Sequence, residues 1–236
     1  MSDTVQYVDG SGVPEAEPIA EGVWLLAGRP RHAVNIYVIG DVLVDAGTRH
    51  SARRIRRQVG HLSLSAHVLT HGHMDHMGAS HEICEEFDLP LLCGEADVAA
   101  VESGGRLGLD ERPVPIRLEH RLVAGQGHRV SHTLKEGETV AGFSVLEVPG
   151  HSPGHLAFWR ENDRVLIMGD VLFNVLLPRL TAGLRLPPAA LTSDPETNLE
   201  SARRLARLEP EIVCFGHGPP LRDPEQLQQF IAGAAL

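Results

Sequence analysis

Residues 66–79 constrain this chain more than any other stretch, because four metal-competent side chains fall there within six residues. These side chains are His71, His73, Asp75 and His76. An apolar run leads into them and glycines interrupt the backbone that follows, which predicts a short buried strand ending in an irregular loop. Without a cation, so many polar groups in one small volume would be costly to satisfy. Imidazole and carboxylate together suit zinc, iron or manganese, so the stretch predicts a metal site at a strand end.

Three further ligand-type residues repeat this pattern later in the chain. His151, Asp170 and His217 each follow an apolar run and an immediate glycine. Glycine lets the backbone pass close to a crowded centre, and strand ends hold side chains rigidly. No cysteine is in the set, which is typical of open catalytic zinc sites, and seven ligands are too many for one tetrahedral metal. The set suits two metals that share an oxygen ligand.

These motifs resemble those of the metallo-β-lactamase superfamily. The matching pieces, in the family's order, are Asp45-Ala46-Gly47, His71-x-His73-x-Asp75-His76, Pro149-Gly150-His151-Ser152-Pro153-Gly154-His155, Gly169-Asp170 and Gly216-His217-Gly218-Pro219. The resemblance implies an α/β fold, a four-layer αβ/βα sandwich of two similar halves. It also implies that the metals lie at one edge of the two sheets.

The resemblance further implies a role for each ligand-type residue. Three would hold a first metal, three a second metal, and one would bridge the two: respectively His71, His73 and His151; Asp75, His76 and His217; and Asp170. His155 and Asp45 match positions that support the ligands from behind. The expected cofactors are two divalent metal ions, with zinc favoured and iron or manganese as alternatives.

Hydrophobic periodicity and turn signals predict two comparable series of strands and helices. The first series has strands at residues 19–27, 34–39, 42–45, 66–70 and 90–93 and helices at residues 51–62, 79–87 and 95–102. The second has strands at residues 142–148, 155–160, 164–168 and 211–215 and helices at residues 194–208 and 223–236. Both series are assigned to a single domain spanning residues 1–236, with residues 1–18 as a loose lead-in.

Two stretches fit neither a helix nor a strand. Residues 103–133 are rich in glycine and are interpreted as a long loop, either a candidate lid or a solvated insertion. Residues 171–191 are apolar but broken by proline and glycine. Their alternatives are core packing, a dimer contact or a substrate wall, in which Arg179 or Arg185 could meet a substrate carboxylate.

Composition limits the partners and the compartment. The formal net charge of −10 disfavours nucleic acid or an anionic membrane as a partner. The three cysteines are odd in number and widely spaced, which fits a reduced cytoplasmic compartment rather than a disulfide framework. Neither a signal peptide nor a membrane-spanning run is visible. We expect a cytoplasmic protein that acts on a small-molecule substrate, with a homodimer left open.

The ligand set and the resemblance together predict a metal-dependent hydrolase. A hydroxide bridging the two metals would attack the carbonyl of an ester, thioester or lactone. Asp75 is the candidate catalytic residue, because it could orient that nucleophile and accept its proton while ligating the second metal. Antibiotic hydrolysis is disfavoured, because zinc β-lactamases of the best-known class carry cysteine where Asp170 stands. The ligand set is like that of glyoxalase II, but no equivalent of the C-terminal helical domain that helps bind glutathione is expected after His217.

Two other functions stay open. Persulfide dioxygenases resemble the same fold but bind one iron through two histidines and one aspartate, here His71, His151 and Asp170, an arrangement typical of non-haem iron oxygenases. Retention of the other ligand-type residues favours two metals over this alternative. The third possibility is a non-enzymatic metal-binding module, which would need a site closed to substrate.

Overall fold

Seven short strands form the first sheet of the computed structural model, which describes residues 16–106, 114–176 and 181–235. In sheet order they are β1 (Glu17–Ala20), β2 (Val23–Leu25), β3 (Tyr37–Ile39), β4 (Val42–Val44), β5 (Ala66–Val68), β6 (Leu91–Gly94) and β7 (His132–Leu134). Pairing is antiparallel from β1 to β4 and parallel from β4 to β7. The carboxyl ends of β4 and β5 therefore meet at one edge, where open α/β sheets bind their ligands.

Five strands of the described residues form the second sheet. In chain order they are β8 (Thr139–Val140), β9 (Phe143–Glu147), β10 (Leu156–Arg160), β11 (Val165–Gly169) and β12 (Ile212–Phe215), and their order in the sheet runs from β12 to β8. Only the β11–β12 pair is parallel among these strands. The segments that follow β11 and β12 therefore leave the sheet side by side.

The helices lie between and after these strands. They are α1 (Ala52–Val59), α2 (Met74–Met77), α3 (Ser80–Phe87), α4 (Val98–Glu102), α5 (Val114–Val123), α6 (Pro195–Ala206) and α7 (Pro224–Gly233). The start of α6 agrees with its sequence signal, because Asp194 accepts a hydrogen bond from the backbone N–H of Thr197 and Pro195 occupies the first turn. Within the described ranges, none of these helices is both long and apolar enough to cross a membrane.

Three apolar cores separate four layers. The central core lies between the two sheets and includes Val44, Val68, Phe143, Phe158 and Ile167. A second core packs α1 and α3 on the outer face of the first sheet, and a third packs α6 and α7 on the outer face of the second. Alternate residues of β11 face opposite cores, as the pleat of a strand requires. The predicted α/β sandwich is confirmed.

Two of the predicted elements were wrong. The single strand predicted at residues 19–27 is the hairpin of β1 and β2, which turns at Gly22, where φ is 65°. The long loop predicted at residues 103–133 contains α5 and ends at β7, a strand beginning at His132 that the sequence did not predict. The prolines around the start of α5 suggested a loop, but proline is tolerated in the first turn of a helix. Residues 107–113 lie outside the described ranges.

The apolar stretch at residues 171–191 divides into buried and exposed parts. Phe173 and Arg185 exchange two backbone hydrogen bonds of 3.0 and 2.9 Å, so the segment folds back on itself. Four apolar residues at its start are buried, namely Val171, Leu172, Phe173 and Val175. Leu176 and Leu191, in contrast, are 43% and 44% exposed. Core packing therefore accounts for Val171 and Leu172, which belong to the third core, but not for Leu176. Arg179 lies outside the described ranges.

Candidate metal centre

All seven predicted ligands leave the two sheets at the same edge. His71 and His73 lie in the loop after β5, and Asp75 and His76 lie in α2, which follows directly. Of the others, His151 follows β9, Asp170 follows β11 and His217 follows β12. The topology thus brings residues separated by up to 146 positions into one cluster.

The carboxylate of Asp170 is at the middle of this cluster. Its Oδ2 atom lies 3.2 Å from Nε2 of His217, 3.4 Å from Nε2 of His76, 3.3 Å from Nε2 of His151 and 3.7 Å from Nε2 of His71. Asp170 is only 2% exposed. One carboxylate oxygen therefore faces imidazoles from both halves of the ligand set.

The remaining distances divide the cluster into three overlapping groups. In each group, one ligand atom per residue lies within 4.8 Å of the others, and the groups are His71, His73 and His151; His71, His76 and Asp170; and Asp75, His76 and His217. In the last group, Oδ2 of Asp75 is 3.3 Å from Nε2 of His217 and 3.8 Å from Nε2 of His76. The two outer groups correspond to the two triads that the sequence predicted, and Asp170 lies between them.

Several buried polar atoms in the cluster have no hydrogen-bond partner among the described residues. Nε2 of His71, Nε2 of His151 and Oδ1 of Asp170 accept or donate no hydrogen bond within the described part of the chain. Buried polar atoms are nearly always satisfied, so each of these atoms requires an explanation. A divalent cation bound by imidazole nitrogens and carboxylate oxygens would satisfy them together. The donor set fits such a cation, and the His/Asp clusters with this fold imply that the protein uses divalent metal.

The hydroxyl of Thr70 fixes the tautomer of His71. It donates to Oδ2 of Asp45 at 2.8 Å, so at 3.0 Å from Nδ1 of His71 it can act only as an acceptor. Nδ1 of His71 therefore carries the proton, and Nε2 presents a lone pair to the cluster.

The hydroxyl of Thr192 determines the tautomer of His151 in the same way. Its hydroxyl donates to the carbonyl oxygen of Pro188 at 3.0 Å and accepts from Nδ1 of His151 at 3.3 Å. On the opposite side of the cluster, Nδ1 of His217 donates to the carbonyl oxygen of Ala33. Such partners on the far ring nitrogen orient histidines for metal binding.

The carboxylate of Asp45 connects Thr70 with the ligand-type residue His76. Its carboxylate accepts from the backbone N–H of Thr70 at 2.8 Å, from the Thr70 hydroxyl, and from Nδ1 of His76 at 2.9 Å. It does so from a left-handed backbone conformation, with φ of 61°. A non-glycine residue in this region is uncommon and often marks a functional position. In the supporting position predicted for it, Asp45 thus contacts His76 directly and His71 through Thr70.

His155 and Gly216 enclose the bridging carboxylate. Nε2 of His155 accepts a hydrogen bond of 3.1 Å from the backbone N–H of Asp170, and its ring stacks on His71 with centroids 4.8 Å apart. A Cβ atom at Gly216 would lie 1.9 Å from Oδ1 of Asp170. Only glycine leaves room for the carboxylate at this point.

One supporting residue, Asp97, was missed by the sequence analysis. Its carboxylate accepts from the backbone N–H of Gly72 at 2.8 Å, from the hydroxyl of Ser152 at 2.6 Å and from the backbone N–H of Gly154 at 2.7 Å. It thereby joins the loop that carries His71 to the loop that carries His151. An acidic residue in a short predicted helix normally indicates a solvated surface, so no local signal marked Asp97 as buried.

The two halves of the cluster differ in electrostatics. Burial lowers the pKa of His71 and lowers that of His73 to about 4, which keeps both imidazoles neutral at pH 7. Burial also lowers the pKa of His217, but Asp170 and Asp75 outweigh it and raise that pKa to about 10. Burial raises the pKa of Asp170, yet His217 and His76 outweigh it and hold the carboxyl ionised. The side of the cluster that contains Asp75, Asp170 and His217 therefore carries negative charge, which a proton or a cation must balance.

Comparisons with known proteins agree on one family. The family model described as the metallo-beta-lactamase superfamily matches residues 29–217. The probable metallo-hydrolase YflN of Bacillus subtilis (strain 168) is 33% identical over 202 residues, which cover 76% of each chain.

Two further relatives carry more specific names. The hydroxyacylglutathione hydrolase GloC of Haemophilus influenzae is 30% identical over 185 residues, which cover 75% of this chain and 79% of GloC. Among solved structures, TTHA1623 in a di-iron-bound form superposes with a TM-score of 0.59 at 29% identity, over 91% of this chain and 93% of that one.

Proposed function

Because the chain belongs to the metallo-beta-lactamase superfamily, we propose that it is a dinuclear metal-dependent hydrolase of esters, thioesters or lactones. The observation that carries the proposal is the position of Asp170, whose Oδ2 atom lies within 3.7 Å of imidazoles from both outer ligand groups. When bound, a pair of divalent cations lowers the pKa of water to about 7 and polarises a substrate carbonyl. Zinc is the metal we favour, with iron or manganese as alternatives.

The protein's own contribution is to orient the ligands and to set the tautomer of two of them. His71, His73 and His151 would hold the first cation, and Asp75, His76 and His217 the second, with Asp170 shared. Thr70 and Thr192 place a proton on Nδ1 of His71 and of His151, so the Nε2 atom of each ring is the one that faces the cluster.

Asp75 has the position expected of a catalytic carboxylate. Its side chain is 31% exposed, whereas that of Asp170 is 3% exposed, so Asp75 can be reached by water and substrate. Enclosure raises the pKa of Asp75, but His76 and His217 outweigh it and hold the pKa below its usual range. At neutral pH the carboxylate is therefore ionised, so it can accept a hydrogen bond from the attacking water and orient it.

An apolar surface adjoins the ligands on one side. The ring of Phe173 lies 4.6 Å from that of His217 and 6.2 Å from that of His151, measured between centroids. The guanidinium carbon of Arg185 lies 5.4 Å from the centroid of the Phe173 ring, and Leu176, three residues further along the chain, is exposed. This surface supports a substrate with an apolar acyl or alcohol group next to the scissile bond. The similarity to GloC supports a thioester among the substrates to be tried first.

The mononuclear iron alternative is less well supported. It uses only His71, His151 and Asp170, and it leaves unexplained why the other ligand-type residues converge within 4.8 Å of one another. The di-iron form of TTHA1623 keeps iron itself open as the native metal. We also propose a small-molecule substrate rather than a nucleic acid or membrane partner, on the grounds of the acidic net charge.

One experiment separates these functions. The protein is purified without added metal, and its bound metals are quantified. Hydrolysis is then assayed with ester, thioester and lactone substrates, and oxygen consumption is recorded separately with a persulfide. We expect two metal ions per chain and hydrolysis of at least one substrate class. One tightly bound iron with oxygen uptake would support the dioxygenase instead. Metal without any turnover would favour the non-enzymatic binding module.

A further inference from the structure

A second group of metal-competent side chains lies outside the centre described above. His81 and Glu85 are four residues apart on α3, and His128 lies in the segment that joins α5 to β7. One ligand atom of each residue lies within 4.8 Å of those of the other two. The two Nδ1 atoms of the histidines are 3.1 Å apart, and Nδ1 of His128 is 3.8 Å from Oε1 of Glu85.

We propose that His81, Glu85 and His128 bind a third divalent cation of the zinc class, at a site on the outer side of the helices that cover the first sheet. Residues four apart on a helix project from the same face, so His81 and Glu85 can act as a pair. Two ligands about 2.0–2.1 Å from a tetrahedral cation lie about 3.3 Å from each other, close to the observed separation of the imidazole nitrogens. Glu85 has a 66% exposed side chain and is free to close the longer distance.

The protonation of His128 suits this role. Burial lowers the pKa of His128, and the neighbouring His81 lowers it further. The imidazole is therefore neutral at physiological pH and need not lose a proton to bind a cation. Three protein ligands leave the fourth tetrahedral position to water.

The place of the site indicates what a cation would do there. The segment that carries His128 lies directly on the corner between α2 and α3, because a Cβ atom at Gly125 would come within 1.8 Å of the carbonyl oxygen of Gly78. Gly78 ends α2, the helix that carries Asp75 and His76. A cation shared by α3 and His128 would fasten the chain that follows α5 onto this corner. It would thereby hold the backbone next to two of the catalytic ligands.

The test counts bound zinc by difference. Chelator-treated protein is equilibrated with micromolar free zinc, desalted and analysed for metal, with wild type beside His81→Gln, Glu85→Gln and His128→Gln. We expect each variant to hold one zinc fewer per chain than wild type and to gain less in Tm on zinc addition. Because only the difference is used, the result does not depend on how many metals the catalytic centre holds. His132→Gln, at an exposed histidine in β7, is the matched control and should bind as wild type does.

A second variant separates metal binding from loss of packing. Thiolate is a good zinc ligand, so His128→Cys should restore the lost zinc, whereas His128→Gln cannot. Equal zinc content in wild type, in the three glutamine variants and in His132→Gln would overturn the proposal and leave a hydrogen bond between His81 and His128. Loss of zinc that His128→Cys does not restore would likewise contradict it, since it would show that the site does not take a new ligand.

Discussion

The hydroxyl of Thr70 donates to the carboxylate of Asp45 at 2.8 Å. This hydrogen bond determines the direction of the one between Thr70 and His71. Because the hydroxyl hydrogen already points to Asp45, the hydroxyl oxygen can only accept from Nδ1 of His71. A residue that never touches the proposed cations thus decides which nitrogen of His71 is available to them.

Removing the Thr70 hydroxyl should weaken metal binding without unfolding the protein. In Thr70→Val, Nδ1 of His71 loses its acceptor, so the tautomer with the proton on Nε2 becomes populated. We expect zinc affinity to fall about 10- to 100-fold, as is typical when the outer partner of a ligand is removed. Competition with a chromophoric chelator measures the change. Thr70→Ser keeps the hydroxyl and should stay close to wild type; equal affinity in all three proteins would contradict the tautomer argument.

Asp170 and His217 should differ in how many metals they affect. Oδ2 of Asp170 faces imidazoles of both outer groups, whereas the ligand-type residues that Nε2 of His217 faces, among those the structure describes, are Asp170, Asp75 and His76. We expect Asp170→Ala to weaken both metal sites and His217→Ala to empty mainly the second. Metal content measured over a range of free zinc distinguishes the two patterns. If both variants lose the same single metal and retain the other, Asp170 does not bridge.

Asp97 should matter for stability more than its place on a short helix suggests. Asp97→Ala leaves two buried donors, at Gly72 and Ser152, and a half-buried donor at Gly154 without their acceptor. Because each unsatisfied buried donor costs about 1–3 kcal/mol, we expect a loss of at least about 2 kcal/mol in the free energy of unfolding. Urea denaturation measures this loss. The exposed Glu161→Ala is the control, and surface changes of this kind typically stay within about 0.5 kcal/mol of wild type.

These residues show where sequence reasoning succeeds and where it stops. The seven ligand-type residues could be found because each follows its own apolar run, and a strand end is a local property of the chain. Asp97 could not, since its three partners lie 25, 55 and 57 residues away and only the fold brings them to it. The helix α5 was missed for a different reason: Val114, Leu118 and Leu122 recur at a helical spacing, but all three are exposed and adjoin a glycine-rich stretch. Periodicity is weak evidence where the apolar face is not buried.

His67 should make stability depend on pH below neutrality. Its ring is fully buried between the carbonyl oxygen of Leu43 and the hydroxyl of Ser80, and burial lowers its pKa to about 4. The folded protein therefore binds this proton less readily than the unfolded chain, whose pKa is about 6.5. The stabilisation is complete above pH 6.5 and is lost as the pH falls from 6.5 to 4.

The test of this pH dependence compares wild type with His67→Gln. Between pH 7 and 5, wild type should lose about 2 kcal/mol more of its free energy of unfolding than His67→Gln, because glutamine does not titrate. Urea titrations at several pH values, with chelator present throughout, keep metal binding constant in both proteins. Parallel pH profiles would show that His67 does not titrate in this range.

The apolar surface beside His217 should set substrate preference. Phe173 packs against the rings of His217 and His151, and Leu176, three residues further along the chain, has 43% of its area exposed. If an acyl chain packs there, each buried methylene contributes about 0.8 kcal/mol, so kcat/KM should rise about fourfold per carbon until the surface is covered. Leu176→Asp should flatten this rise while leaving the shortest substrate almost unaffected, because the ligands of the metals are untouched. The control is Leu118→Asp on α5, a leucine that is also exposed. A flat chain-length profile in wild type, unchanged by Leu176→Asp, would place the substrate elsewhere. If Leu118→Asp lost the slope as well, α5 would be part of the substrate site.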